Sequence, residues 1–187
     1  MKKNMTLSML MVIAACSAAP AADSLLGSLP ASPTMTVSTV PPSGDVNPYG
    51  VAFVPAGFLR STAAETGDIL VSNFNNSSNA QGTGSTIVRI TSAGKQTVFF
   101  QGPTTGVGLT TALGALERGF VLVGNVPTRD GTCATAGAGS LIVLDRFGNQ
   151  VANWVNAQAL DGPWDRRFTM KESARRYSFR IWRAARW

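Results

Sequence analysis

The chain has 187 residues, 44% hydrophobic and only 14% charged, with nineteen glycines, ten prolines and no histidine. That balance excludes a disordered chain and suits a globular body with large buried faces and many tight turns. A net charge of +6 suggests nucleic acid, yet eight of the sixteen basic residues lie in 166–187 beside one acid, Glu172; the remainder is mildly acidic, with no basic stripe for phosphates.

The first 22 residues read as an export signal. Lys2 and Lys3 precede an apolar run from Met5 to Ala15, too short to span a bilayer, and small residues with Pro20 follow. Within it Ile13-Ala14-Ala15-Cys16 has the form of a bacterial lipobox, which would place a lipid on Cys16; the competing reading is an ordinary signal cut near Ala21 or Ala22. The expected location is therefore exported: periplasmic, anchored to the outer membrane through that lipid, or extracellular. Residues 23–46, rich in Ser, Pro and Thr, are expected to form an extended, mobile linker.

From residue 47 the pattern turns to strands. Val51 and Phe53 alternate after the Asn47-Pro48-Tyr49-Gly50 turn, and Asp68–Phe74, Thr86–Ile90 and Gln96–Phe100 follow, the last two joined by a Gly94 hairpin turn. The stretch Thr86–Phe100 (TIVRITSAGKQTVFF) then returns as Ser140–Trp154 (SLIVLDRFGNQVANW), 54 positions later, preceded by strands within Gly106–Leu116 and Gly119–Val126. A repeat of this length built from short strands is the signature of a propeller blade or a similar array. Runs such as Phe120-Val121-Leu122-Val123 are apolar on both faces, as inner strands flanked by neighbouring sheets must be. The predicted fold is all-β: a partial β-propeller of about two four-stranded blades over 47–165, plus the start of a third. That start is an echo of the first blade, Pro163-Trp164 standing where Pro48-Tyr49 stands.

The strings NPYGVAF, GDILVSNFNNSSNAQGTGSTIVRI, GLTTALG, GFVLVGNVPT and GSLIVLDRFGN together resemble exported bacterial β-propeller proteins of the NHL-repeat-like kind, over roughly residues 45–165. The resemblance implies a fold and an envelope location more than a reaction, and its members carry more blades. The pattern departs from the family at Arg166. The basic, aromatic tail at 166–187 is expected to be non-native or disordered, the product of a truncation and a reading-frame shift; the alternative is a membrane-surface or nucleic-acid arm.

Few residues carry chemistry. Without histidine, Ser-His-Asp catalysis and the commonest zinc ligand are gone. The run Asn73-Phe74-Asn75-Asn76-Ser77-Ser78-Asn79 is the best candidate binding loop. Its carbonyls suit calcium if Asp68 or Asp45 supplies charge, although Asn and Ser are also ordinary turn residues. Cys133 reads as a tolerated loop residue without a disulfide partner. Asp45, Asp68, Asp130, Asp145, Asp161 and Asp165 are scattered over strand ends and turns, and Asp145 is expected to bond the turn it opens. Trp154 and Trp164 are expected to pack between blades. No catalytic residue, metal ligand or cofactor is expected, calcium at the asparagine run being the alternative. The leading function is a non-catalytic envelope or extracellular scaffold whose loops bind a protein, glycan or ion. Nucleic acid is not an expected partner, membrane contact comes only through the lipid, and self-association runs through uncovered edges. The alternatives are a metal-dependent hydrolase, resembling propeller lactonases at fold level alone, and a truncated product without function.

Overall fold

The computed structural model describes residues 35–160, 162–169 and 178–183, with side chains through Trp164. The expected export signal with Cys16, residues 23–34 of the expected linker, Asp161 and the rest of the basic tail lie outside the described residues.

The described chain is all-β. Strands β1 (Val46–Phe53), β2 (Ile69–Asn75), β3 (Thr86–Ile90) and β4 (Gln96–Gln101) form one antiparallel sheet in sequence order. Strands β5 (Leu109–Leu116), β6 (Phe120–Asn125), β7 (Ser140–Leu144) and β8 (Gln150–Val155) form a second with the same order. A two-stranded ribbon pairs β9 (Pro163–Thr169) with β10 (Ser178–Arg183), so the backbone of part of the basic tail is strand. No α-helix occurs among the described residues, and one 3-10 turn, Cys133–Thr135, sits in the β6–β7 loop.

The two copies of the repeat fold alike. In the β3–β4 turn the Thr91 amide donates to the Lys95 carbonyl and Gly94 adopts φ +77°; in the β7–β8 turn Asp145 donates to Asn149 and Gly148 adopts φ +84°. Both glycines occupy the left-handed region that side chains with a Cβ disfavour. Between β2 and β3, Asn73 Nδ2 donates to Thr86 Oγ1 at 3.2 Å; between β6 and β7, Asn125 Nδ2 donates to Ser140 Oγ at 3.1 Å. The same hydrogen bond closes the same end of each sheet.

Alternation gives each sheet two apolar faces. One, the leading face, carries Ile69, Val71, Val88 and Ile90 in the first sheet and the repeat-equivalent Val121, Val123, Ile142 and Leu144 in the second. The other, the trailing face, carries Leu70, Ile87 and Phe100, repeated as Leu122, Leu141 and Trp154. The main core is the trailing face of the first sheet seated on the leading face of the second. Val121, Val123 and Leu144 are wholly buried there and Ile142 nearly so. Each such side chain contributes roughly 1.5–3 kcal/mol, so this core outweighs any polar contact in joining the sheets.

The inner strands β1, β5 and β9 pack in succession. Gly50 makes the first approach close enough, since a Cβ there would lie 2.6 Å from Ser72 Oγ and 2.9 Å from the Thr110 carbonyl. Ser72 Oγ accepts from the Gly50 amide and donates to that carbonyl, both at 3.0 Å, and Thr110 Oγ1 donates to the Pro163 carbonyl at 2.6 Å. The described part of the linker is tied down rather than free. Val37 packs on Val71, Val88 and Ile90, the Thr39 and Val40 carbonyls accept from Asn73 and Gln96, and the buried Asp45 carboxylate accepts from the Ser85 amide and the Thr86 hydroxyl. Residues 35–45 thus cover the outer part of the leading face of the first sheet.

Candidate functional site

Strands β1, β5 and β9 begin at one end of the array, where the β2–β3 loop (76–85) and the β6–β7 loop (126–139) also lie. These loops are stitched together: the Thr128 amide donates to the Gly82 carbonyl at 2.8 Å, and Thr128 Oγ1 donates to the Gln81 carbonyl at 2.6 Å. Between them and the strand starts is a cavity of about 560 Å³, within the usual range for small-molecule sites.

Three aromatic rings converge on this cavity. Tyr49 of β1 stacks on Phe74 of β2 with centroids 4.7 Å apart and planes 9° off parallel. Trp164 of β9 meets both rings edge-on, at 5.9 and 5.2 Å. Phe74 is buried and forms the base of the stack, while Tyr49 stays 40% exposed. The β1 bulge between Pro48 and Gly50 falls at Tyr49, and such a bulge re-aims side chains at the end of a sheet. The opposite wall is Val126, Thr128, Thr132 and Cys133, with Gln81 beside them. Among the described residues no acidic or basic side chain lines the cavity. The Tyr49 hydroxyl, the Gln81 side-chain amide and the Trp164 indole N–H have no hydrogen-bond partner among the described residues.

Asp45, Asp68, Asp130 and Asp145 are committed elsewhere, and the Asp161 and Asp165 side chains lie outside the described residues. Asp130, in the β6–β7 loop, accepts from the Thr132 amide and from the Thr132 and Thr135 hydroxyls. The Thr135 hydroxyl, then the Thr132 hydroxyl and amide, hold its pKa down to about 2. Asp145 bonds the turn it opens, accepting from the Phe147 and Asn149 amides at 2.9 Å each. Partial burial pushes its pKa up, but the Asn149 side chain and amide, the Phe147 amide and the Arg146 charge together hold it below the ordinary value. Asp68 pairs with Arg89 and accepts from the Glu65 amide. It lies at the start of β2, the far end of that strand from Asn75, and at about 3.3 Å per residue the two ends are some 20 Å apart. Asp68 therefore cannot serve the asparagine run.

That run does not form one open loop. Asn73 and Asn75 lie inside β2. Asn75 Oδ1 accepts from Asn47, Asn79 Oδ1 accepts from Asn75, and Asn76 Oδ1 accepts from the Ser78 and Ala80 amides. The side-chain carbonyls that would hold calcium are turned to the chain itself, apart from Asn73 Oδ1, which is buried without a partner. No group of three or more His, Cys, Asp or Glu gathers among the described residues. Cys133 is an exposed free thiol on the cavity wall. Trp164 reaches the cavity while packing against the first sheet, whereas Trp154 is 47% exposed on β8.

The aromatic triad was legible only as the echo of Pro48-Tyr49 in Pro163-Trp164, which places an aromatic at the start of the first and third inner strands. Comparison with family models, curated proteins and solved structures finds no match.

Proposed function

We propose that the chain is a non-catalytic binding module of β-propeller type, directed to the cell envelope or beyond by its leader, and that the loop-end cavity binds a neutral glycan unit. Two four-stranded meanders of one repeat, with β1, β5 and β9 packed in succession, support the propeller reading. The cavity carries the functional one: an aromatic floor, an uncharged wall and three unengaged polar tips fit a ring with one apolar face and several hydroxyls. Among the described residues the lining holds no counter-charge for an ionic ligand.

The test is isothermal titration of the full chain with a panel of neutral oligosaccharides, followed by NMR of the recovered sugar. Binding by at least one sugar, weakened roughly tenfold by Trp164→Ala through the loss of about 1.4 kcal/mol of ring contact, is the expected result. The sugar should return unaltered. Failure of the whole panel to bind, or cleavage of any member, would overturn the reading.

A further inference from the structure

Each end of the array exposes apolar side chains whose repeat-equivalents are buried within the same chain. On the leading face of the first sheet, Val51 and Phe53 are 56% and 70% exposed. They pair across to Val71 and Ile69, as Leu113 and Ala115 pair to Val123 and Val121 in the second sheet. Leu113 is only 7% exposed, because the trailing face of the first sheet covers it. On the trailing face of the second sheet, Trp154 is 47% exposed, while its equivalent Phe100 is 6% exposed beneath the second sheet.

The uncovered parts are stepped in complementary fashion. At the trailing end β9 lies against β5 and β6, covering the inner strands and leaving Trp154 on the outer strand β8. At the leading end residues 35–40 cover Val71, Val88 and Ile90, leaving Val51 and Phe53 on the inner strand β1. Residues 35–40 of a next copy would fill the outer step beside Trp154 of the first. Neither β1 (VNPYGVAF) nor β8 (QVANWV) carries a charged residue.

We infer that the leading face of the first sheet, at Val51 and Phe53, docks the trailing end of a second copy of this chain, head to tail. The interface reproduces between copies the sheet-on-sheet contact that the chain makes within itself. Such a contact is heterologous, so it propagates into rings or filaments and does not stop at a symmetric pair. The inference is tested apart from the glycan pocket, because neither Phe53 nor Trp154 lines that cavity.

Sedimentation equilibrium of the full chain tests it. The wild type should gain mass with concentration, while Phe53→Asp, which spoils the leading face, and Trp154→Asp, which spoils the trailing face, should each be monomeric alone. Mixed one to one, the two variants retain a single competent interface between them and should double in mass and go no further. A wild type that stays monomeric at its highest soluble concentration overturns the inference. So does a mixture that stays monomeric while the wild type associates, and so does a variant that dimerises by itself, which is the result for like faces pairing. Thermal melting verifies that both variants fold, and Phe53→Ser with Trp154→Ser must give the same pattern if either aspartate variant does not.

Discussion

The two four-stranded sheets are close copies in sequence pattern, turn geometry and even in the asparagine that closes one end, yet matching side chains meet different surroundings. Phe100 lies under the second sheet and Trp154, its equivalent, looks outward. Asn125 Oδ1 accepts from the Gly108 amide at 2.7 Å, whereas Asn73 Oδ1 has no partner. The difference is one of neighbours and not of local sequence: a sheet in an array is stabilised by what lies on either side of it. A residue's importance therefore follows its place in the stack as much as its place in the repeat.

Truncating the equivalent aromatics should give the largest contrast. Phe100→Ala leaves a cavity between the sheets and should cost about 3–5 kcal/mol in denaturant unfolding, while Trp154→Ala in monomeric chain should cost under about 1 kcal/mol. Equal costs would break the comparison. The asparagine pair should differ less. Asn125→Ala strips partners from the Gly108 amide, the Gly106 carbonyl and the Ser140 hydroxyl, for a loss of about 2–3 kcal/mol. Asn73→Ala removes two donor bonds together with an acceptor that is already unsatisfied, and should cost about 1 kcal/mol less.

The smallest effect separates the loops by pH. With a folded pKa of about 2 against an ordinary 3.8, Asp130 helps to order the β6–β7 loop at every pH above the ordinary value. That contribution is lost as pH falls through the interval between the two. Amide exchange at Thr132 and Thr135 should quicken over that window, and Asp130→Asn should remove the dependence.

Much of the architecture could be read from residues alone because a period of two and a glycine turn are local signals: Thr86–Ile90 and Gln96–Phe100 around Gly94, and their counterparts around Gly148, lie where alternation predicts. Asp145 bonds its own turn for the same local reason. The packing of residues 35–45 was hidden because it rests on the carbonyls of Thr39 and Val40, which any residue would supply, on one small side chain, Val37, and on the Asp45 carboxylate, whose partners Ser85 and Thr86 lie 40 and 41 positions away. Residues 166–169 and 178–183 of the tail enter β9 and β10 although the tail's composition breaks from the repeat, since the ladder is made by backbone groups that every residue but proline supplies. The cavity was hardest to foresee. Tyr49, Phe74 and Trp164 come from three separate strands, and only the topology brings them together.

The link from Ser72 through Thr110 to Pro163 has a mechanical consequence. It fastens the innermost strands to one another at a single level, so the sheets behave like pages bound at the spine. The spine thus helps the mouth beside Tyr49 and Trp164 to keep its width, while the apolar core holds the outer strand β4 through Phe100.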